Sequence, residues 1–94
     1  MTEPAASRVV VVTNPQGLHL RPFDLIVKRA VQFVAKIELV KDQQRVDGKS
    51  MMQLLTIASP QGTELRVEAT GPDAQAALDA LAELFASGFG ENEI

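Results

Sequence analysis

Between Glu64 and Ala69 the chain alternates charged and apolar residues without a break: Glu-Leu-Arg-Val-Glu-Ala. Successive side chains of a strand point to opposite faces, so this stretch predicts a strand with one wet face and one buried face. A sheet of such strands has to be covered on one side only, and the cover has to come from helices with a single apolar stripe. The chain supplies them. Phe23, Ile26, Val27, Ala30, Val31 and Val34 fall on one helix face, with Lys28, Arg29 and Gln32 opposite. Phe33 lies off that stripe and marks where the helix gives way to a loop. Ala74, Ala77, Leu78, Leu81, Leu84 and Phe85 make a second stripe, opened by Gly71-Pro72-Asp73 and stopped at Gly88.

The remaining segments fit between these. Arg8 to Thr13 is a short β-branched run and predicts a buried strand, with Val9 to Val12 in the core. Asn14-Pro15-Gln16-Gly17 is turn chemistry. Lys36-Ile37-Glu38-Leu39 alternates again, Lys41 to Gln44 reads as a hairpin turn, and a short strand follows around Arg45-Val46. Ser50-Met51-Met52-Gln53 has capping-box spacing. The helix it opens runs through Leu54, Leu55 and Ile57 and ends by Ser59-Pro60. Adjacent helical residues cannot face the same way, so one of Met51 and Met52 goes to the core and the other stays at the surface. The order is β-α-β-β-α-β-α. The simplest packing is an α+β open-faced β-sandwich, a four-stranded, mostly antiparallel sheet with three helices on one face. The reading is one domain over residues 1–94, with a core at about 8–88 and loose ends at 1–7 and 89–94.

Composition narrows the function. The chain has no cysteine and one histidine, which leaves no disulfide framework and no ligand-spaced metal cluster; neither metal nor cofactor is expected. A net charge of −3 with four Phe and no Trp or Tyr argues against nucleic-acid binding. No apolar run is long enough to cross a bilayer, and the first residues lack the order of a signal peptide, so a cytoplasmic protein is expected.

The single histidine stands at the junction of the first strand and the first helix, in Gly17-Leu18-His19-Leu20-Arg21-Pro22. Imidazole titrates near neutrality, so an uncharged ring nitrogen is available as a nucleophile. A helix start offers free backbone N–H groups and partial positive charge, which suit a phosphate. The N–H groups of Leu20 and Arg21 are the expected donors, and the Arg21 side chain adds a planar cation. The helix opening is ambiguous by rule: Pro22 favours the first helical position, which would make Arg21 rather than His19 the cap.

The Gly17-Leu18-His19-x-Arg21-Pro22 segment and the later Gly48-Lys49-Ser50-Met51-Met52 segment, in this order and at this chain length, resemble the HPr family, the histidine phosphocarriers of the bacterial phosphoenolpyruvate:sugar phosphotransferase system. The resemblance covers roughly residues 8–90. It implies the HPr-like form of the open sandwich and a carrier rather than a turnover enzyme. It implies that His19 accepts a phosphoryl group on Nδ1 from phospho-Enzyme I and passes it to a IIA domain, with Arg21 neutralising the phosphate. It places the serine that a dedicated HPr kinase/phosphorylase modifies at Ser50, and a partner-docking surface at Met51, Met52 and Leu55, with Phe23 as an addition. A monomer is expected. The alternative is a regulatory protein of the same fold, acting in a nitrogen-type phosphorelay or as a Ser50-controlled binding module. Leu20 and Phe23 are bulkier than the residues family members mostly carry there, Asp24 puts a carboxylate near a site awaiting a dianion, and Gln53 replaces a residue that is commonly small.

Overall fold

The structure, a computed structural model, describes residues 5–90. Strand β1 (Ala5–Val11) is followed by helix α1 (Leu20–Ala30), strands β2 (Lys36–Lys41) and β3 (Gln44–Asp47), and helix α2 (Met51–Leu54), which tightens into a 3-10 turn over Leu55–Ile57. Strand β4 (Glu64–Thr70), helix α3 (Ala74–Ala86) and a 3-10 turn at Gly88–Gly90 complete the chain. The strands form one antiparallel sheet in the order β1-β4-β2-β3. The expected α+β open sandwich is the fold found.

The alternation of β4 is realised: Leu65, Val67 and Ala69 are buried beneath the helices, while Glu64, Arg66 and Thr70 are exposed and Glu68 is half-buried. Ile37 and Leu39 of β2 and Val46 of β3 extend the buried layer, which packs against Phe23 and Ile26 of α1, Leu54 of α2, and Ala77, Leu81 and Phe85 of α3. On the wet face Glu38 and Glu68 stand directly opposite each other across β2 and β4. Two like charges in that position repel. Arg45 of β3 sits over both and pairs with each, so Glu68 is held below the usual carboxylate range, chiefly by the Arg45 hydrogen bond and further by Arg66. The β2–β3 hairpin turns through Asp42 at φ 54°, a left-handed angle that aspartate tolerates.

Four expectations need correction. The first strand begins at Ala5, inside the stretch read as a loose lead-in, because residues from Ala5 onward pair with Thr70 and its neighbours. It is an edge strand rather than a buried one. Val10 and Val12 enter the core, but Val9 and Val11 lie exposed on the wet face; a run of four valines carries no period to reveal this. The first helix, whose apolar spacing runs to Val34 and whose end was expected at Phe33, stops at Ala30, with Val31 and Val34 exposed and Phe33 half-buried against the core. At the other end Phe89 is not loose. It takes a left-handed angle of φ 56° and packs edge-on against Phe85 at 5.0 Å between ring centres. The rest of the expected loose ends, residues 1–4 and 91–94, lies outside the described residues.

Candidate functional site

The segment that carries His19 is fixed from below before the helix begins. Asn14 is buried, and its Nδ2 donates to the Gly17 carbonyl at 2.7 Å while the Gly17 amide donates to the Asn14 carbonyl at 3.0 Å. Gly17 has φ +74°, and a Cβ there would stand 2.3 Å from the Ser59 carbonyl oxygen. That close approach lets Leu18 and Ser59 pair as an antiparallel bridge, with N–H···O distances of 2.7 and 3.3 Å. Leu18 is buried, so the bridge is roofed by core. His19 follows directly.

His19 is the N-cap of α1, in extended conformation at φ −144° and ψ −163°, and its side chain makes no capping hydrogen bond. Its carbonyl accepts from the Phe23 amide at 3.1 Å, the first bond of the helix. The ambiguity over the opening therefore falls to His19, with Pro22 third in the helix. The missing N–H of proline costs nothing there, since first-turn amides have no acceptor one turn back. The donors left at the mouth of α1 are the N–H groups of Leu20 and Arg21.

The imidazole is half-buried, with Nε2 covered by protein. His19, Leu20, Arg21, Asp24 and Met51 line one shallow depression. Arg21 is exposed and forms no ion pair among the described residues. The carboxylate of Asp24 pairs with Lys28 at 2.9 Å, one turn further along α1. A histidine, a free guanidinium and two open backbone donors thus share a concave surface suited to a small anion.

Ser50 caps α2, its Oγ accepting from the Gln53 amide at 3.3 Å. The capping box is only half made. The Gln53 side chain accepts instead from the Asp47 amide at 2.9 Å, tying α2 to the end of β3. Of the two methionines, Met51 packs on the core and reaches the depression beside His19, whereas Met52 is 81% exposed. Leu55, also largely exposed, lies one turn beyond Met52, and Leu20 adds exposed apolar surface at the depression. Phe23 does not join this surface. It is wholly buried among the core residues and cannot touch a partner, a correction to its placement in the docking patch. The sequence had signalled this, since Phe23 begins the apolar stripe of α1.

The supports of the site were not read as such from sequence. In the sequence Asn14 stands out only as part of a turn and Ser59 only as a helix end, and Gly17, though beside His19, gives no sign of the close approach it permits. Nothing local ties position 59 to position 18.

Comparison with known proteins bears on the same residues. The family model described as "PTS HPr component phosphorylation site" matches residues 6–87. The chain belongs to the HPr family. It is 44% identical over 84 residues to the phosphocarrier protein HPr of Treponema pallidum, covering 89% of this chain and 96% of that one. It is 37% identical over 90 residues to the multiphosphoryl transfer protein of Haemophilus influenzae, covering 93% of this chain and 18% of that much longer one. Among solved structures, HPr-C-His from Thermoanaerobacter tengcongensis superposes with a TM-score of 0.87 at 35% identity, covering 92% of this chain and 97% of that one. HPr proteins are phosphocarriers of the phosphotransferase system. Among the described residues no group of acidic or histidine side chains could hold a metal, and no helix is long and apolar enough to cross a membrane.

Proposed function

We propose that His19 is the phosphoryl acceptor of this HPr protein, taking the group from phospho-Enzyme I on Nδ1 and passing it to a IIA domain. The observation that carries the reading is the meeting of His19, the first-turn amides and the Arg21 guanidinium at one depression. The covered Nε2 supports Nδ1 as the reacting atom. In the transfer the bond from phosphorus to the donor nitrogen breaks and the bond to Nδ1 forms, while the proton given up by the His19 ring is taken up by the released donor imidazole. The product carries close to two negative charges at neutral pH. Interaction with the helix end contributes about 0.3–1 kcal/mol at an exposed site, and a charge-assisted hydrogen bond about 1.5–3 kcal/mol. These are moderate terms, as a carrier requires, because a site that bound the phosphoryl group much more tightly would not release it.

Incubation with phosphoenolpyruvate and Enzyme I, followed by intact-mass measurement, tests the reading. Wild type gains one acid-labile phosphate and His19→Ala gains none. A phosphate that stays on His19→Ala would refute it.

A regulatory role for Ser50 is favoured by one observation. Its hydroxyl stands at the head of α2, next to the exposed Met52. Phosphate there adds charge beside an apolar docking surface of Met51, Met52 and Leu55 without displacing core, so it weakens partner binding more than folding. Ser50→Asp compared with wild type in partner affinity and in denaturation separates the two effects. Unchanged affinity with a large stability loss would refute the role.

A further inference from the structure

The depression that holds His19 also holds a carboxylate. Asp24 lines it together with His19, Leu20, Arg21 and Met51. Arg21 and Asp24 are three residues apart, within reach of each other on a helix surface. They form no ion pair. Asp24 Oδ2 lies instead 2.9 Å from Lys28 Nζ, towards the C-terminal end of α1 and away from its mouth. The guanidinium is thereby left available, and the negative charge is drawn back from the place a phosphoryl group would occupy.

We infer that Asp24 weakens the hold of this site on a phosphoryl group at His19, and that Lys28 sets how strongly it does so by drawing the carboxylate along α1. The inference rests on His19 as the acceptor. The loaded site carries a dianion, and a fixed carboxylate on the rim of the same depression opposes it through a medium largely open to water. A unit charge facing a dianion under those conditions changes an equilibrium by about two- to fivefold. Asp24 thus biases the carrier towards discharge, and Lys28 limits the bias by neutralising the carboxylate and withholding it from Arg21. Asp24 and Lys28 are tuning residues that act on the field at His19 and do no bond chemistry themselves.

The test is a competition for phosphoryl groups. Equal amounts of isotopically labelled wild type and unlabelled variant share a trace of Enzyme I and less phosphoenolpyruvate than protein, and intact mass reads how the phosphate divides. Asp24→Asn should hold about two- to fivefold more phosphoryl than wild type, and Lys28→Met about twofold less. The double variant should match Asp24→Asn, since Lys28 acts only through Asp24. All differences should shrink in about 1 M salt. Even division between wild type and Asp24→Asn, or a Lys28→Met deficit that persists in the double variant, would overturn the inference while leaving the acceptor reading intact. Phosphoramidate, a small donor that needs no partner protein, separates the other failure. Its phosphorus–nitrogen bond breaks, the bond to imidazole forms, and the imidazole proton leaves with ammonia. If wild type gains phosphate from neither donor, the acceptor reading falls and this inference falls with it.

Discussion

Replacing Gly17 by alanine should damage the protein in a way that a second glycine calibrates. At Gly17 the backbone angle is φ +74°, and an added Cβ would lie 2.3 Å from the Ser59 carbonyl oxygen and 3.0 Å from the Pro60 Cα. Both obstacles are backbone, so neither can rotate away. A left-handed angle costs a non-glycine residue about 1–2 kcal/mol. Relieving the contact means parting Leu18 from Ser59, whose two hydrogen bonds are worth about 0.5–1.5 kcal/mol each. The expected loss is about 2–5 kcal/mol, a fall in Tm on the order of 10–40 °C for a chain of this size. Gly62 has φ +93° but nothing within 4 Å of its would-be Cβ. Gly62→Ala should therefore lose only the backbone term. Urea and thermal denaturation of both variants, followed by far-UV circular dichroism, measure the difference. If Gly17→Ala is no less stable than Gly62→Ala, the Leu18–Ser59 bridge does not hold the segment under His19 in the way argued.

Three further predictions concern other links. Phe23→Ala should cost about 3–5 kcal/mol in denaturation, as a buried aromatic does; a loss under 1 kcal/mol would place Phe23 at the surface after all. Met52→Asp should leave stability within about 0.5 kcal/mol of wild type while weakening partner affinity in calorimetry. Asp73 is held below the usual carboxylate range, first by the Val34 amide and then by the Ala35 amide. A depressed pKa stabilises the fold above the unfolded-state value, here 3.8, and that contribution disappears as pH falls through the lower folded-state pKa. Asp73→Asn should thus be less stable than wild type at pH 7, with the gap closing on acidification below about pH 4; a gap that is constant from pH 7 to pH 2 would contradict it.

The same aspartate explains much of what sequence could and could not disclose. The apolar spacing of α1 continues to Val34, and periodicity with the off-stripe Phe33 carries the helix about three residues too far. It stops at Ala30 because the following backbone is held elsewhere. Asp73 accepts the Val34 and Ala35 amides at 2.9 and 2.8 Å, and Lys49 donates to the Phe33 carbonyl at 2.7 Å. These partners come from the two later helix starts, and no local pattern announces them. Asp73 itself was legible as a helix opener, yet its side chain does not cap α3. Where burial on one face decides the outcome, as in β4 and α3, period and structure agree. Where a single long-range contact decides, as at Val34 or Ser59, they part. The candidate site divides likewise: His19, Arg21 and the Ser50 cap stand out by residue type and spacing, whereas the bridge beneath His19 and the Lys28 tether on Asp24 need coordinates.

The bridge also draws a sharp line between two peptide groups on either side of His19. The Leu18 amide is engaged at 2.7 Å beneath buried side chains, while Leu20, two residues on, opens the helix with no intrahelical acceptor. In deuterated water the first should exchange only when the fold opens cooperatively, and the second almost at once. The firm half of the mount beneath His19 and its receptive half, the part the proposed acceptor role would use, are thus different residues.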